Sequence, residues 1–280
     1  MSFTKKRKII DCFLFYNETD ILEYRLSVLW DIVDFFIISE ASLSFIGNRK
    51  PFFSDDSRFD KYRDKIISVK LYTFPFVNPD LSKNEQWLNE NYQRDCLKNG
   101  VEQLLELGKI CDDDVLIIND VDEIPDPLSL ETISTNICIS VNSLFVFRQK
   151  YHCYNLKIVR DIDWIHSKAF SIRTWKEKLN LEHFSTIRLY GVTLPFSSKI
   201  SPELILYGGW HLSYFGTVEF ISNKLQNFSH QEFNVSLDDI KKRKEEGTDI
   251  MGRDNITHSI IPLEKNPYLP PKAFFFFQEK

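Results

Sequence analysis

The chain has 280 residues, of which 43% are hydrophobic and 27% charged, and it carries a net charge of −5. That is globular composition, enough for one large domain or two small ones, and the negative balance argues against a nucleic-acid partner. No apolar stretch approaches the ~18 residues of a membrane span, and the N-terminus lacks an apolar signal core.

The five cysteines (Cys12, Cys96, Cys111, Cys138 and Cys153) are scattered and form no C-x-x-C pair. Neither a disulfide framework nor a zinc site is indicated, and a reducing, cytoplasmic setting is the expectation.

In chain order, residues 9–15 read as a first strand. Ile21, Leu22, Leu26, Leu29 and Trp30 then recur at helical spacing, with Glu23 and Arg25 between them. Residues 35–39 form a second buried strand ending at Glu40. Strand, helix and strand in so short a span predict a βαβ unit and a parallel sheet. Residues 40–53 are loop-like and 66–74 form a third strand. A long helix is expected over 84–107, with Leu88, Tyr92, Leu97, Val101, Leu104 and Leu105 on one face and Gly108 beyond its end.

The fourth strand is the most informative stretch. Val115-Leu116-Ile117-Ile118 runs into Asn119-Asp120-Val121-Asp122-Glu123-Ile124-Pro125. A continuous apolar run suits a strand buried on both faces, and an extended continuation points Asp120 and Asp122 the same way. Pro125 and Pro127 argue against further central strand. Acids at the carboxyl end of such a strand lie where open α/β sheets bind ligands, and paired hard oxygens recruit magnesium or manganese beside phosphates. A solvated turn is the bland alternative for Asp-x-Asp.

Residues 144–154, 168–175 and 204–210 are strand-like and aromatic, which predicts mixed or antiparallel pairing. Residues 218–228 and 237–244 look helical, and the prolines after 262 suit an extended tail. One compact domain over 1–280 is expected, with a nucleotide half (9–126), an acceptor half (127–261) and the tail (262–280).

Several blocks in order carry a resemblance: Ile-Asp-Cys-Phe-Leu-Phe-Tyr-Asn-Glu at 10–18, Ile-Ile-Ser-Glu-Ala-Ser at 37–42 and Phe-Ile-Gly-Asn-Arg-Lys-Pro at 45–51. They continue with Ile-Ile-Asn-Asp-Val-Asp-Glu-Ile-Pro at 117–125 and Gly-Gly-Trp-His-Leu-Ser-Tyr-Phe at 208–215. Together they resemble glycosyltransferase family 17 over about residues 9–230. The resemblance implies a GT-A fold, a Rossmann-like mixed sheet flanked by helices. It also implies metal-dependent, inverting transfer of N-acetylglucosamine from UDP-GlcNAc to a glycan acceptor. The family's animal members carry a membrane anchor and lumenal stem, which are not seen here. Where they have Trp-His-Cys-Ser-Trp-Cys, this chain has Trp210-His211-Leu212-Ser213-Tyr214-Phe215, which leaves the acceptor open.

Roles follow residue by residue. Asp122 is the first expected metal ligand, and Asp120 is a second ligand or a donor contact. The metal would act as a Lewis acid on the departing UDP. His211 would be the third ligand, its imidazole favouring manganese over magnesium; otherwise it is a histidine packed between Trp210 and Tyr214. Glu40 is expected on ribose or base, and Asn17 on uracil or as a helix cap. Arg94 faces the diphosphate or sugar, or forms an ordinary i, i+4 pair with Glu90. Inversion needs one base, for which Glu219 is the first candidate and Glu123 the second; Glu219 also reads as a first-turn helix acid. Trp164, Trp175 and Trp210 are stacking platforms or core. Two other functions remain open: a nucleotidyl- or phosphotransferase, which the lack of a Gly-rich phosphate loop disfavours, and a non-catalytic carbohydrate-binding protein.

Overall fold

The structure, a computed structural model, describes residues 6–135, 139–233 and 235–277; Cys138 lies outside them. The first half contains β1 (Ile9–Phe15), α1 (Thr19–Leu29), β2 (Phe35–Ala41), β3 (Ile66–Leu71), α2 (Glu85–Asp95), α3 (Leu97–Glu106) and β4 (Val115–Asp120). Then come β5 (Glu123–Pro125), α4 (Pro127–Thr135), β6 (Ser143–Phe147), β7 (Lys150–Cys153), β8 (Ile158–Arg160), β9 (Lys168–Ser171), α5 (Ile172–Glu177) and α6 (Phe184–Leu189). The chain continues through β10 (Ser201–Ile205), β11 (Gly209–Ser213), α7 (Val218–Asn227), α8 (Leu237–Glu246), β12 (His258–Ile260) and α9 (Ala273–Phe276).

A seven-stranded sheet has the order β10-β6-β9-β4-β1-β2-β3, and a five-stranded sheet the order β12-β8-β7-β11-β5. Strands β1, β2, β3 and β4 pair with one another in parallel, and β9 inserts antiparallel between β4 and β6. This is the Rossmann-like mixed sheet flanked by helices that was expected. Side-chain alternation assigns each face. Ile9, Phe13, Val115 and Ile117 pack with Leu22 and Leu26 of α1 and with Trp210 of β11. Ile10, Cys12, Leu116 and Ile118 pack with Leu97 and Val101 of α3 and Ile187 of α6.

Several expected elements resolve differently. The 84–107 helix is two helices, divided at Cys96. On α2 the buried residues are Gln86, Asn89, Gln93 and Arg94, while Leu88 and Tyr92 are exposed. The polar face turns inward because it meets backbone carbonyls rather than apolar surface: Asn89 Nδ2 donates to those of Phe45 and Phe76 in loops, and Gln93 Nε2 to that of Ser39 in β2. Residues 144–154 are two strands in different sheets, and 168–175 become β9 followed by α5. Residues 204–210 span the end of β10 and the start of β11. Pro125 does pair, with Gly209, but on an edge strand, where a missing N–H costs nothing.

The described residues of the expected tail pack beside Leu22 and Leu26 of α1 and include α9. Tyr24 Oη donates to the Pro271 carbonyl, and Trp210 Nε1 to that of Tyr268.

Candidate active site

The strand order reverses between β1 and β4, the switch point where open α/β sheets bind ligands. Residues leaving both strands meet there. β4 ends at Asp120, Val121 and Asp122 form a turn, and Glu123 starts β5 in the other sheet. The two aspartates therefore do not share a direction, contrary to the extended reading. Asp120 falls on the α2 and α6 side, and Asp122 on the side of β11 and α7.

A second buried arginine holds this turn from beneath. Arg25 of α1, which falls between the apolar positions of its helix, is 0% exposed. It grips Asp11 of β1 through two hydrogen bonds of 2.7 and 2.6 Å, and its Nη1 donates to the carbonyls of Asp120, Val121 and Glu123 at 3.1, 3.2 and 2.6 Å. Asn119 Nδ2 donates to Asp11 at 2.8 Å. The turn's carbonyls are thus satisfied internally, and its carboxylates are directed outward from the strand.

Asp120 lies between two guanidinium groups, Arg94 Nη1 at 2.6 Å and Arg188 Nη2 at 2.5 Å. Arg94 also pairs with Glu90 at 2.9 Å. Enclosure pushes the Asp120 carboxyl up from its ordinary value, against the pull of Arg188 and Arg94. Glu123 is wholly buried. It takes both terminal nitrogens of Arg188, the Trp164 indole N–H and the Ser167 hydroxyl, and it also accepts from the Asp120 backbone N–H. Burial opposes its ionisation, but Arg188 prevails and holds the carboxyl well below its usual range.

Asp122 has a separate set of partners. Its Oδ1 lies 3.4 Å from His211 Nε2 and its Oδ2 3.2 Å from Lys224 Nζ. Burial alone would raise its pKa; Lys224 and His211 lower it. His211 is brought in by β11, whose approach to β5 requires the preceding glycine: a Cβ on Gly209 (φ +112°) would lie 2.1 Å from the Ile124 carbonyl oxygen. The imidazole is stacked on Tyr151 at 4.4 Å and tilted against Trp164 at 4.6 Å, rather than lying between Trp210 and Tyr214. Its Nδ1 is buried with no hydrogen-bond partner among the described residues.

Lys224 also pairs with Glu18 at 2.8 Å, and the other oxygen of Glu18 accepts from the N–H groups of Tyr16 and Asn17. The acidic turn is therefore connected to the end of β1. Beside that connection is a cavity of about 370 Å³ lined by Tyr16, Asn17, Asn48, Lys50, Asn223 and Asn227, among others. Asn17 Nδ2 donates to Asn223, and its buried Oδ1 has no partner among the described residues.

The other expected site residues lie elsewhere. Glu40 is consumed by the chain itself, accepting from Lys50 Nζ at 2.6 Å and from the backbone N–H groups of Phe53 and Ser54. Ribose recognition would have to break that clamp. Glu219 is fully exposed in the first turn of α7. It lies five residues before Lys224, about 140° around the helix from the side that reaches Asp122. Its hydrogen bonds at the helix N-terminus hold its pKa low. Trp175 and Trp210 are core, and only Trp164 touches the site.

Sequence reasoning missed Arg25, Arg188, Lys224 and Glu18. For Arg188 the weak signal was a charged residue in the short apolar pattern 184–189.

The profile of glycosyltransferase family 17 matches residues 1–260. The chain belongs to this family. Over 124 residues it is 32% identical to the β-1,4-mannosyl-glycoprotein 4-β-N-acetylglucosaminyltransferases of Rattus norvegicus and Homo sapiens, covering 42% of this chain. The match spans 22% of those relatives' own length. Among solved structures, 4-diphosphocytidyl-2C-methyl-D-erythritol synthase is similar at a TM-score of 0.42 and 14% identity, over 71% of this chain and 89% of that one. Among the described residues no helix is long and apolar enough to cross a membrane.

One buried lysine behind the site gives this family member a testable pH signature. Lys168 Nζ donates to the carbonyls of Ile165, His166 and Arg188, and burial beside Arg188 lowers its pKa to about 7. The denatured chain keeps this proton up to about pH 10. It therefore holds more protons between those values, and Lys168 makes the fold more stable as pH rises through that interval. Urea midpoints at pH 7 and pH 9.5 should show a smaller alkaline gain in Lys168→Met than in the parent chain. Equal gains would mean that Lys168 stays charged in the fold.

Proposed function

We propose that this family member transfers N-acetylglucosamine from UDP-GlcNAc to a hydroxyl of a glycan acceptor, with inversion at the anomeric carbon. The observation that carries this reading is the amide-lined cavity at the end of β1, joined through Glu18 and Lys224 to Asp122 at the switch point. Amide groups both donate and accept, as the polar edge of uracil requires, and Asn17, one of the lining residues, has a buried Oδ1 with no partner among the described residues. The identity of the sugar rests on the names of the matched relatives.

The donor set suits a divalent cation in part. No three His, Cys, Asp or Glu side chains among the described residues converge to hold one alone. Asp122 and His211 do converge, and with a UDP-sugar its phosphates and water would complete the shell. Charge supports the same reading. Among the described residues, Glu18, Glu90, Asp120, Asp122 and Glu123 pair with Arg94, Arg188 and Lys224, and Asp122 also with His211; with the histidine counted as neutral, the formal excess is two negative charges. An imidazole ligand favours manganese over magnesium. When bound, the metal would neutralise charge on the departing diphosphate.

The chain's own residues then have distinct tasks. Asp120 is locked to Arg94 and Arg188 and so fixes the turn. Asp122 and His211 present the ligands. Trp164, against His211 and bonded to Glu123, walls one side of the imidazole.

Release of UDP from UDP-GlcNAc in the presence of manganese tests the reading, with ATP and free saccharides as controls. Turnover of ATP alone, or saccharide binding without UDP release, would replace it by a phosphotransferase or a carbohydrate-binding protein. Asn17→Ala should weaken UDP binding about tenfold by calorimetry, the scale of one or two lost hydrogen bonds. An unchanged affinity would place the base elsewhere.

A further inference from the structure

We propose that Lys224 is an internal counter-cation: it competes with the divalent metal for Asp122 and, once released from that carboxylate, contacts the donor diphosphate. This rests on the sugar-nucleotide reading above.

Lys224 reaches across from α7 to residues that leave β1 and β4. Its ammonium lies 2.8 Å from Glu18 Oε1 and 3.2 Å from Asp122 Oδ2, and 5.8 Å from the centre of the Tyr214 ring. It holds together two carboxylates that would otherwise repel. It also shares Asp122 with His211, the pair best suited to a metal ion. An ammonium and a divalent cation on one carboxylate repel strongly in a partly enclosed site. One must yield, and the ammonium is the mobile one: it ends a flexible four-carbon stem, whereas His211 is fixed by stacking on Tyr151.

Glu18 anchors the ammonium if it leaves Asp122. The neighbouring Asn223 lines the cavity and bonds Asn17, so the released charge stays where the cavity meets the acidic turn. A diphosphate in that passage would meet a cation already poised to pair with it.

The role differs from that of a strut between α7 and β1 in its sign. Calorimetric titrations of the full chain with manganese alone, and with UDP at saturating manganese, separate the two. Lys224→Met should bind manganese alone about tenfold more tightly, because a competing charge is gone. It should bind UDP about tenfold more weakly, because a charge-assisted contact is gone. Lys224→Gln, which keeps a hydrogen-bond donor without the charge, should shift both affinities in the same directions and serves if the methionine variant does not fold. Lys224→Arg should stay within about threefold of the parent for UDP. Loss of both affinities together, or no gain in manganese binding for the neutral variants, would overturn the proposal. So would a parent chain that binds UDP but no manganese. A parent chain that binds neither would instead remove the sugar-nucleotide reading itself.

Discussion

Arg188→Ala should lower the thermal midpoint by about 10 °C. The guanidinium is the main charge partner of Glu123, which is completely buried, and one of two for Asp120. Removing one member of a buried ion pair leaves the other charged and desolvated, at a cost of about 3–5 kcal/mol. In a domain approaching this size each kcal/mol moves the midpoint by roughly 2–4 °C. Trp164, Ser167 and the Asp120 backbone N–H would still donate to Glu123, but three neutral donors do not replace a bidentate cation. The double variant Arg188→Met, Glu123→Gln should recover a large part of the loss, because no buried charge is then left unpaired. Calorimetric melting of the parent and the two variants decides the matter. A midpoint within about 2 °C of the parent for Arg188→Ala would show that water reaches Glu123 and that the network is not closed.

Asp122→Asn should reduce metal-dependent UDP release at least about a hundredfold, the scale of losing a group that acts on transition-state charge. The substitution keeps shape and removes one negative charge. Lys224 keeps Glu18 as its partner, and Asp122's backbone carbonyl still accepts from Leu212, so the fold should survive. Glu123, by contrast, is so fully engaged that its replacement tests stability before chemistry, which makes it a poor base. Initial rates of UDP release at saturating manganese measure the effect. A variant within about threefold of the parent would remove Asp122 from the metal.

The legible part of the fold was the part governed by local pattern. The continuous burial of β1 and the apolar run of β4 follow from side chains that point to opposite faces of a sheet packed on both sides. Of the residues the sequence singled out, Asp122 and His211 are brought within 3.4 Å of each other. Arg25 illustrates what was not legible. A charged residue between apolar helix positions reads as solvated, and here it is fully enclosed because Asp11 and three carbonyls surround it. Likewise α2 buries amides and exposes Leu88 and Tyr92, since its neighbours are backbone carbonyls whose hydrogen bonds outweigh the apolar area on offer.

The amino-acid order by itself determined the βαβ beginning and the buried fourth strand with acids at its end, because propensity and periodicity act over a few residues. Only the tertiary structure decided that Asp120 and Asp122 face different partners, and that Arg188 and Lys224 arrive from α6 and α7, 68 and 102 residues along the chain from those aspartates. The reason is physical: a buried charge is tolerated only where its counter-charge arrives, and which distant helix supplies it depends on how the two sheets pack, not on spacing along the chain.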